Sequence, residues 1–174
     1  MAEETHLIHV GSTPRPLVRT VGPPIQKGST VLLPNAAALY DDDHYVTYGR
    51  KGLSAQAALI EALIDLEGAT GAVLYPSGVA ALSGALLAVL KAGDEVLVVD
   101  TIYKPTRRFC DTVLARFGVA TRYYDPALSP QALLDLAGPA TRLILLESPG
   151  SLTFEMQDLP AIAALARERR ILTM

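Results

Sequence analysis

From Ser54 onward the apolar positions follow two alternating periods. In "SAQAALIEALIDLEG", Leu59, Ile60, Leu63, Ile64 and Leu66 fall on one side of a helix. Ser54 is its expected cap and Gly68 its expected terminator. "GAVLYP", residues 71–76, is a short apolar run and predicts a buried strand. "SGVAALSGALLAVLKAGD" predicts a helix ended by Gly93, "EVLVVD" a strand, and "KPTRRFCDTVLARFG" a helix ended by Gly118. "VATRYYD" predicts a strand, "SPQALLDLAG" a helix capped by Ser129 with Pro130 at its first position, and "TRLILLE" a strand. "DLPAIAALARERR" predicts a helix, and "ILTM" opens another strand.

Short apolar strands alternating with helices predict an α/β fold, a mostly parallel sheet between layers of helices. The first 50 residues break the pattern. Pro14, Pro16, Pro23, Pro24 and Pro34 interrupt every long element, and Asp41, Asp42 and Asp43 close the stretch. Residues 1–50 therefore read as an extended arm and 51–174 as the start of a larger domain. The apolar "STVLLP" within the arm calls for burial. Because "ILTM" resembles a strand entering a sheet, the chain reads as the front part of a longer protein.

Composition narrows the function classes. Half of the 174 residues are hydrophobic and 19% are charged, enough apolar material for a sizeable core. A net charge of −3 offers no basic field for nucleic acid. No apolar run is long enough to span a bilayer, and the acidic, polar start is no secretory signal. The single cysteine, Cys110, leaves no internal disulfide framework and suits a cytoplasmic location. It reads as a buried core residue. His6, His9 and His44 make no metal-binding pattern with it or with paired acids.

Ligands of parallel sheets bind beyond the carboxyl ends of the strands. Those positions hold Pro76-Ser77-Gly78-Val79, Thr101-Ile102-Tyr103 and Glu147-Ser148-Pro149-Gly150. Ser77 can cap the following helix, and Gly78 leaves the backbone open. The N–H groups of Gly78 and Val79 then suit a phosphate. A plain strand-to-helix turn with a serine cap explains the same residues. Tyr103 suits stacking on a flat ring, or simple packing at the sheet edge. Tyr48 and Arg50, in "YGR", suit a phosphate through the guanidinium fork, or a solvated turn. "RERR", residues 167–170, reads as the polar end of a helix. The chain lacks G-x-G-x-x-G after a strand and the G-x-x-x-x-G-K-[ST] loop, which weakens a nucleotide-binding reading.

Taken in order, "YGRKG", "LE", "YPSGVAAL", "AGDEVLV", "YKPTRRFC" and "LESPGSLTFEMQDLPAIA" closely resemble the pyridoxal-phosphate enzymes of cysteine and methionine metabolism. The resemblance runs from about Thr5 to Met174 and covers well under half of a family member. It implies pyridoxal 5'-phosphate as cofactor. Gly78 and Val79 would hold its phosphate and Tyr103 would stack on its ring. Tyr48 and Arg50 would reach a neighbouring subunit's cofactor phosphate, in a homo-oligomer that is a tetramer built from dimers. Tyr103 and Tyr48 are the catalytic candidates. The implied reaction is cleavage of a sulfur amino acid, cystathionine or another S-substituted cysteine, at the β-carbon. Gly150-Ser151-Leu152 stands where many γ-acting relatives carry Asn-Pro, which favours the β-reaction. Val79 replaces a frequent methionine, a change that a backbone contact tolerates. The family's cofactor-binding lysine and its ring-nitrogen aspartate have no counterpart, and Lys27, Lys51, Lys91 and Lys104 do not match by position. The isolated chain is therefore expected to be inactive, and the alternatives are a γ-acting member of the family, a γ-synthase or γ-lyase, or a non-catalytic interaction module.

Overall fold

Val96, Leu97, Val98 and Val99 are each wholly buried. Successive strand residues face opposite ways, so the strand they form, β1 (Glu95–Val99), is covered on both faces. It is the centre of a four-stranded parallel sheet with β2 (Ala120–Tyr124), β3 (Thr141–Leu145) and β4 (Leu172–Thr173), in the order β2-β1-β3-β4. Glu95 to Val99 pair in step with Ala120 to Tyr124, and Val96 pairs with Leu143 on the other side. The α/β expectation holds.

The computed structural model describes residues 21–174, and the chain divides into two compact units, Met1–Leu74 and Tyr75–Met174. Pro14, Pro16, His6 and His9 lie outside the described residues. In the first unit, short 3-10 turns occupy Ala37–Tyr40 and Gly49–Lys51, and an antiparallel bridge joins Thr30 to Tyr48. Helix α1 spans Ser54–Glu67 and ends at Gly68, which adopts the left-handed conformation with φ 59°.

The second unit holds the sheet and four helices: α2 (Gly78–Val89), α3 (Lys104–Phe109), α4 (Pro130–Asp135) and α5 (Leu159–Glu168). Helix α2 packs on α3, and α4 on α5. Leu86, Leu133, Leu134 and Ile162 from these helices, with Leu114 from the segment after α3, meet Val96–Val99 and Leu143–Leu145 in one core. The Ser129 cap is observed: its hydroxyl accepts the Ala132 N–H at 3.2 Å.

Five local expectations fail. Residues 71–75 are not a strand, and Val73 is 76% exposed. Among the described residues no strand pairs with this run, and without a ladder partner apolar content alone cannot make a strand. Ser54 is not the cap of α1 but its first residue. Its hydroxyl is spent on the Pro24 carbonyl at 3.0 Å, while Gln56 Oε1 accepts the Leu53 N–H at 2.7 Å. Helix α2 stops at Val89, before Gly93, because Leu90 turns extended and buries in the core. The helix expected over 104–118 changes to a π turn at Cys110–Leu114. The wider turn accommodates Cys110 and Leu114, both wholly buried. In α1, Leu59 and Leu66 of the predicted stripe are exposed.

Candidate functional site

The strand order sets where a site can form. From β1 the chain goes to β2 on one side and then to β3 on the other. The switch point therefore lies between the carboxyl ends of β1 and β3, where the two following loops part. Here those loops are tied together. Glu147, after β3, accepts the Tyr103 N–H through Oε2 at 3.1 Å. Ser151 donates its N–H to the Thr101 carbonyl at 2.8 Å.

A second layer of bonds sits behind Glu147. Gln157 Nε2 donates to the Glu147 carbonyl at 2.9 Å, and Gln157 Oε1 accepts the Tyr124 hydroxyl at 2.8 Å. The Gln157 N–H donates to Ser148 Oγ at 2.9 Å. One glutamine thus joins the end of β2 to the loop after β3. Tyr124 is 3% exposed, and burial pushes its hydroxyl well above the usual tyrosine range. Gly150 is buried beside Thr101 and Glu155, and a β-carbon there would meet Thr101 Cβ at 2.8 Å and Glu155 Oε2 at 3.1 Å. Thr101 Oγ1 and Glu155 Oε2 are buried with no hydrogen-bond partner among the described residues.

Tyr103 itself is 48% exposed, with its carbonyl accepting the Thr106 and Arg107 N–H groups of α3. Arg107 Nη2 returns to Asp100 at 2.5 Å, and its guanidinium lies 3.8 Å from the centre of the Tyr123 ring. Tyr123 donates its hydroxyl to Asp111 Oδ1 at 2.6 Å. Burial, then this bond to Asp111, raises the Tyr123 hydroxyl above its ordinary range.

Helix α2 runs into β1 through residues 90–94. Its twelve residues span about 18 Å, close to the length of a five-residue strand. Ser77 Oγ accepts the Ala80 N–H at 3.2 Å, and the Ser77 carbonyl the Ala81 N–H at 3.0 Å. The N–H groups of Gly78 and Val79 have no acceptor among the described residues, and nothing lies within 4 Å of where a Gly78 β-carbon would stand. The helix terminus is therefore an open pair of donors at the positive end of the helix dipole.

Tyr48 and Arg50 belong to the first unit. Tyr48 is 42% exposed, and the Arg50 guanidinium lies 5.4 Å from the centre of its ring. The Gly49 N–H between them donates to the Ser29 carbonyl at 2.7 Å. Among the described residues no group of three His, Cys, Asp or Glu could hold a metal ion, and no helix is long and apolar enough to cross a membrane. His44 instead places Nδ1 2.8 Å from Asp41 Oδ1.

The family of Cys/Met metabolism PLP-dependent enzymes matches residues 4–174. The chain belongs to that family. A Rhizobium johnstonii protein provisionally named a cystathionine beta-lyase is 44% identical over 98% of this chain and 43% of its own length. The cystathionine beta-lyase of Escherichia coli is 34% identical over 94% of this chain and 42% of its own. Among solved structures, the cystathionine gamma-lyase of Lactobacillus plantarum, complexed with L-serine, superposes with a TM-score of 0.81. It is 29% identical and matches 99% of this chain and 44% of that one. The chain spans less than half the length of these relatives.

Sequence reasoning singled out Gly78, Val79 and Tyr103 and left Glu147, Gln157 and Thr101 without a role. Glu147 and Tyr103 are 44 positions apart, and no local pattern signals a bond between them.

Proposed function

We propose that this chain forms the phosphate-binding and ring-stacking part of a pyridoxal-phosphate carbon–sulfur β-lyase. The substrate class is cystathionine or another S-substituted cysteine, and the products from cystathionine are homocysteine, pyruvate and ammonia. The observation that carries the reading is the open N-terminus of α2, where two N–H groups have no acceptor among the described residues and Gly78 has no side chain. Exposed Tyr103, beyond the end of β1, supports a stacking role. When bound, pyridoxal phosphate supplies an electron sink for charge developing at the substrate α-carbon. The chain's own contribution is to bind and orient: Gly78 and Val79 by donating to phosphate oxygens, Tyr103 by covering one ring face.

Tyr48 and Arg50 take the part of a second phosphate contact, made to the cofactor of a neighbouring copy in a homotetramer. The Arg50 side chain is exposed, which leaves its guanidinium available. Of the lysines, Lys51 is paired with Asp42 at 2.5 Å and Lys91 sits in the turn that enters β1. Neither they nor Lys27 and Lys104 take the role of the cofactor-linked lysine, so the isolated chain is inactive. A cytoplasmic location accords with the buried free Cys110.

The test is pyridoxal phosphate titration of the chain with Gly78→Asp as control. Saturable binding lost in the variant supports the site, and equal binding by both refutes it. Release of pyruvate by the isolated chain refutes its inactivity. The γ-acting alternative draws on the Lactobacillus plantarum cystathionine gamma-lyase fold match. Product analysis of the active assembly separates the two, pyruvate for β-cleavage and 2-oxobutyrate for γ-cleavage.

A further inference from the structure

We infer that Glu147 is a positioning residue that fixes Tyr103 for stacking on the cofactor ring, with Gln157 holding Glu147 from behind. This rests on the stacking role proposed for Tyr103.

Tyr103 stands just before α3, at the point where the chain leaves the sheet. Its N–H is beyond the ladder of β1, which ends at Val99, and outside the ladder of α3, whose first donors are the Thr106 and Arg107 N–H groups. The φ of Tyr103 sets where its ring points, and the hydrogen bond of its N–H constrains φ. In this chain that bond goes to a carboxylate, Glu147 Oε2 at 3.1 Å, from the other side of the switch point. A charged acceptor makes it stronger than a neutral bond.

The carboxylate can act this way only if Glu147 is itself fixed. Its carbonyl accepts Gln157 Nε2 at 2.9 Å, and the Gln157 amide is oriented by the buried Tyr124 hydroxyl at 2.8 Å. The Gln157 N–H is taken by Ser148 Oγ. The path therefore runs from the core at Tyr124, through Gln157 and the Glu147 backbone, to the Tyr103 N–H. Each link is a hydrogen bond of 3.1 Å or less. The exposed Tyr103 ring thus stands on a backbone anchored to the buried end of β2, and a pre-set ring binds a flat ligand without paying to order itself.

The test combines amide exchange with a double-mutant cycle on the chain. In Glu147→Ala the Tyr103 amide should exchange about tenfold faster, and Glu147→Gln, which keeps an acceptor oxygen, should restore most of the protection. Pyridoxal phosphate should bind several-fold more weakly to Glu147→Ala, while inorganic phosphate, which needs only the α2 terminus, should bind as before. The Glu147→Ala/Tyr103→Ala double variant should bind pyridoxal phosphate no more weakly than Tyr103→Ala alone. Unchanged exchange at Tyr103 overturns the tether whatever the ligand does. Fully additive losses overturn the positioning role and make Glu147 an independent contact. If Tyr103→Ala leaves pyridoxal phosphate affinity intact while exchange responds as expected, the stacking reading fails and the tether stands as structural only.

Discussion

A β-carbon on Gly150 would collide with Thr101, whose Oγ1 and Cβ fill the space that the glycine leaves open. The same place is crossed by the Ser151 N–H to Thr101 carbonyl bond, so neither loop can withdraw without breaking the other's anchor. Gly150→Ala should therefore destabilise the second unit by about 1–3 kcal/mol, the usual cost of overpacking a filled site. The urea midpoint of the variant checks this, and an unchanged midpoint would show that the loops yield.

Gly78 makes the opposite case. Nothing stands within 4 Å of its missing β-carbon, and it opens α2 rather than sitting inside a filled space. Gly78→Ala should leave stability within about 0.5 kcal/mol of the parent. A methyl group beside the Gly78 and Val79 N–H groups should nonetheless reduce affinity for pyridoxal phosphate. Measuring both quantities on one variant separates a binding glycine from a structural one. Lost stability, or full affinity, would argue against a phosphate site.

Why the cap before Gly78 is legible in the sequence and the crowding at Gly150 is not follows from range. Ser77-Gly78 before an apolar helix announces a cap and a bare backbone within four residues, and the structure has that cap. Strand β1 is legible for a similar reason, because "VLVV", residues 96–99, has no polar position to place outward. The glycine at 150 owes its place to Thr101, 49 positions back by subtraction, and nothing local marks that approach. The same limit hides the Glu147–Tyr103 bond. "GAVLY" misleads in the other direction: its composition fits a strand, but pairing is decided by neighbours that composition does not contain.

Cys110 gives a pH prediction. Its side chain is wholly buried, and burial, with the Asp111 charge adding, pushes the thiol from an ordinary 9.0 up to about 11. The unfolded thiol loses its proton first as pH rises, so the unfolded state gains. Stability linked to this group is fully present below pH 9 and is lost between about 9 and 11. The slope for one proton is about 1.4 kcal/mol per pH unit. Urea midpoints from pH 8 to 11 should fall less steeply in Cys110→Ala, although Tyr123 and Tyr124, also raised by burial, keep some slope above pH 10. The native thiol should resist alkylation at pH 8 and react on unfolding. Fast native labelling would contradict the burial.

Gln157 and Tyr124 supply the last test, because the buried hydroxyl has one partner to lose. Gln157→Leu removes the acceptor and leaves the Tyr124 O–H in a site only 3% exposed. The cost should be about 1–3 kcal/mol, the penalty of an unsatisfied buried polar group. It also frees the Glu147 carbonyl from its bond to Nε2. Tyr124→Phe alone should cost less, since the Gln157 amide is nearer the surface and can turn to water. In the double variant no donor is stranded, so its loss should be smaller than the sum of the two single losses. A thermal or urea double-mutant cycle reads the coupling, expected at about 0.5–3 kcal/mol for residues in one network. Strict additivity would mean that the two side chains do not share the bond, and that the path from β2 to Glu147 carries no energy.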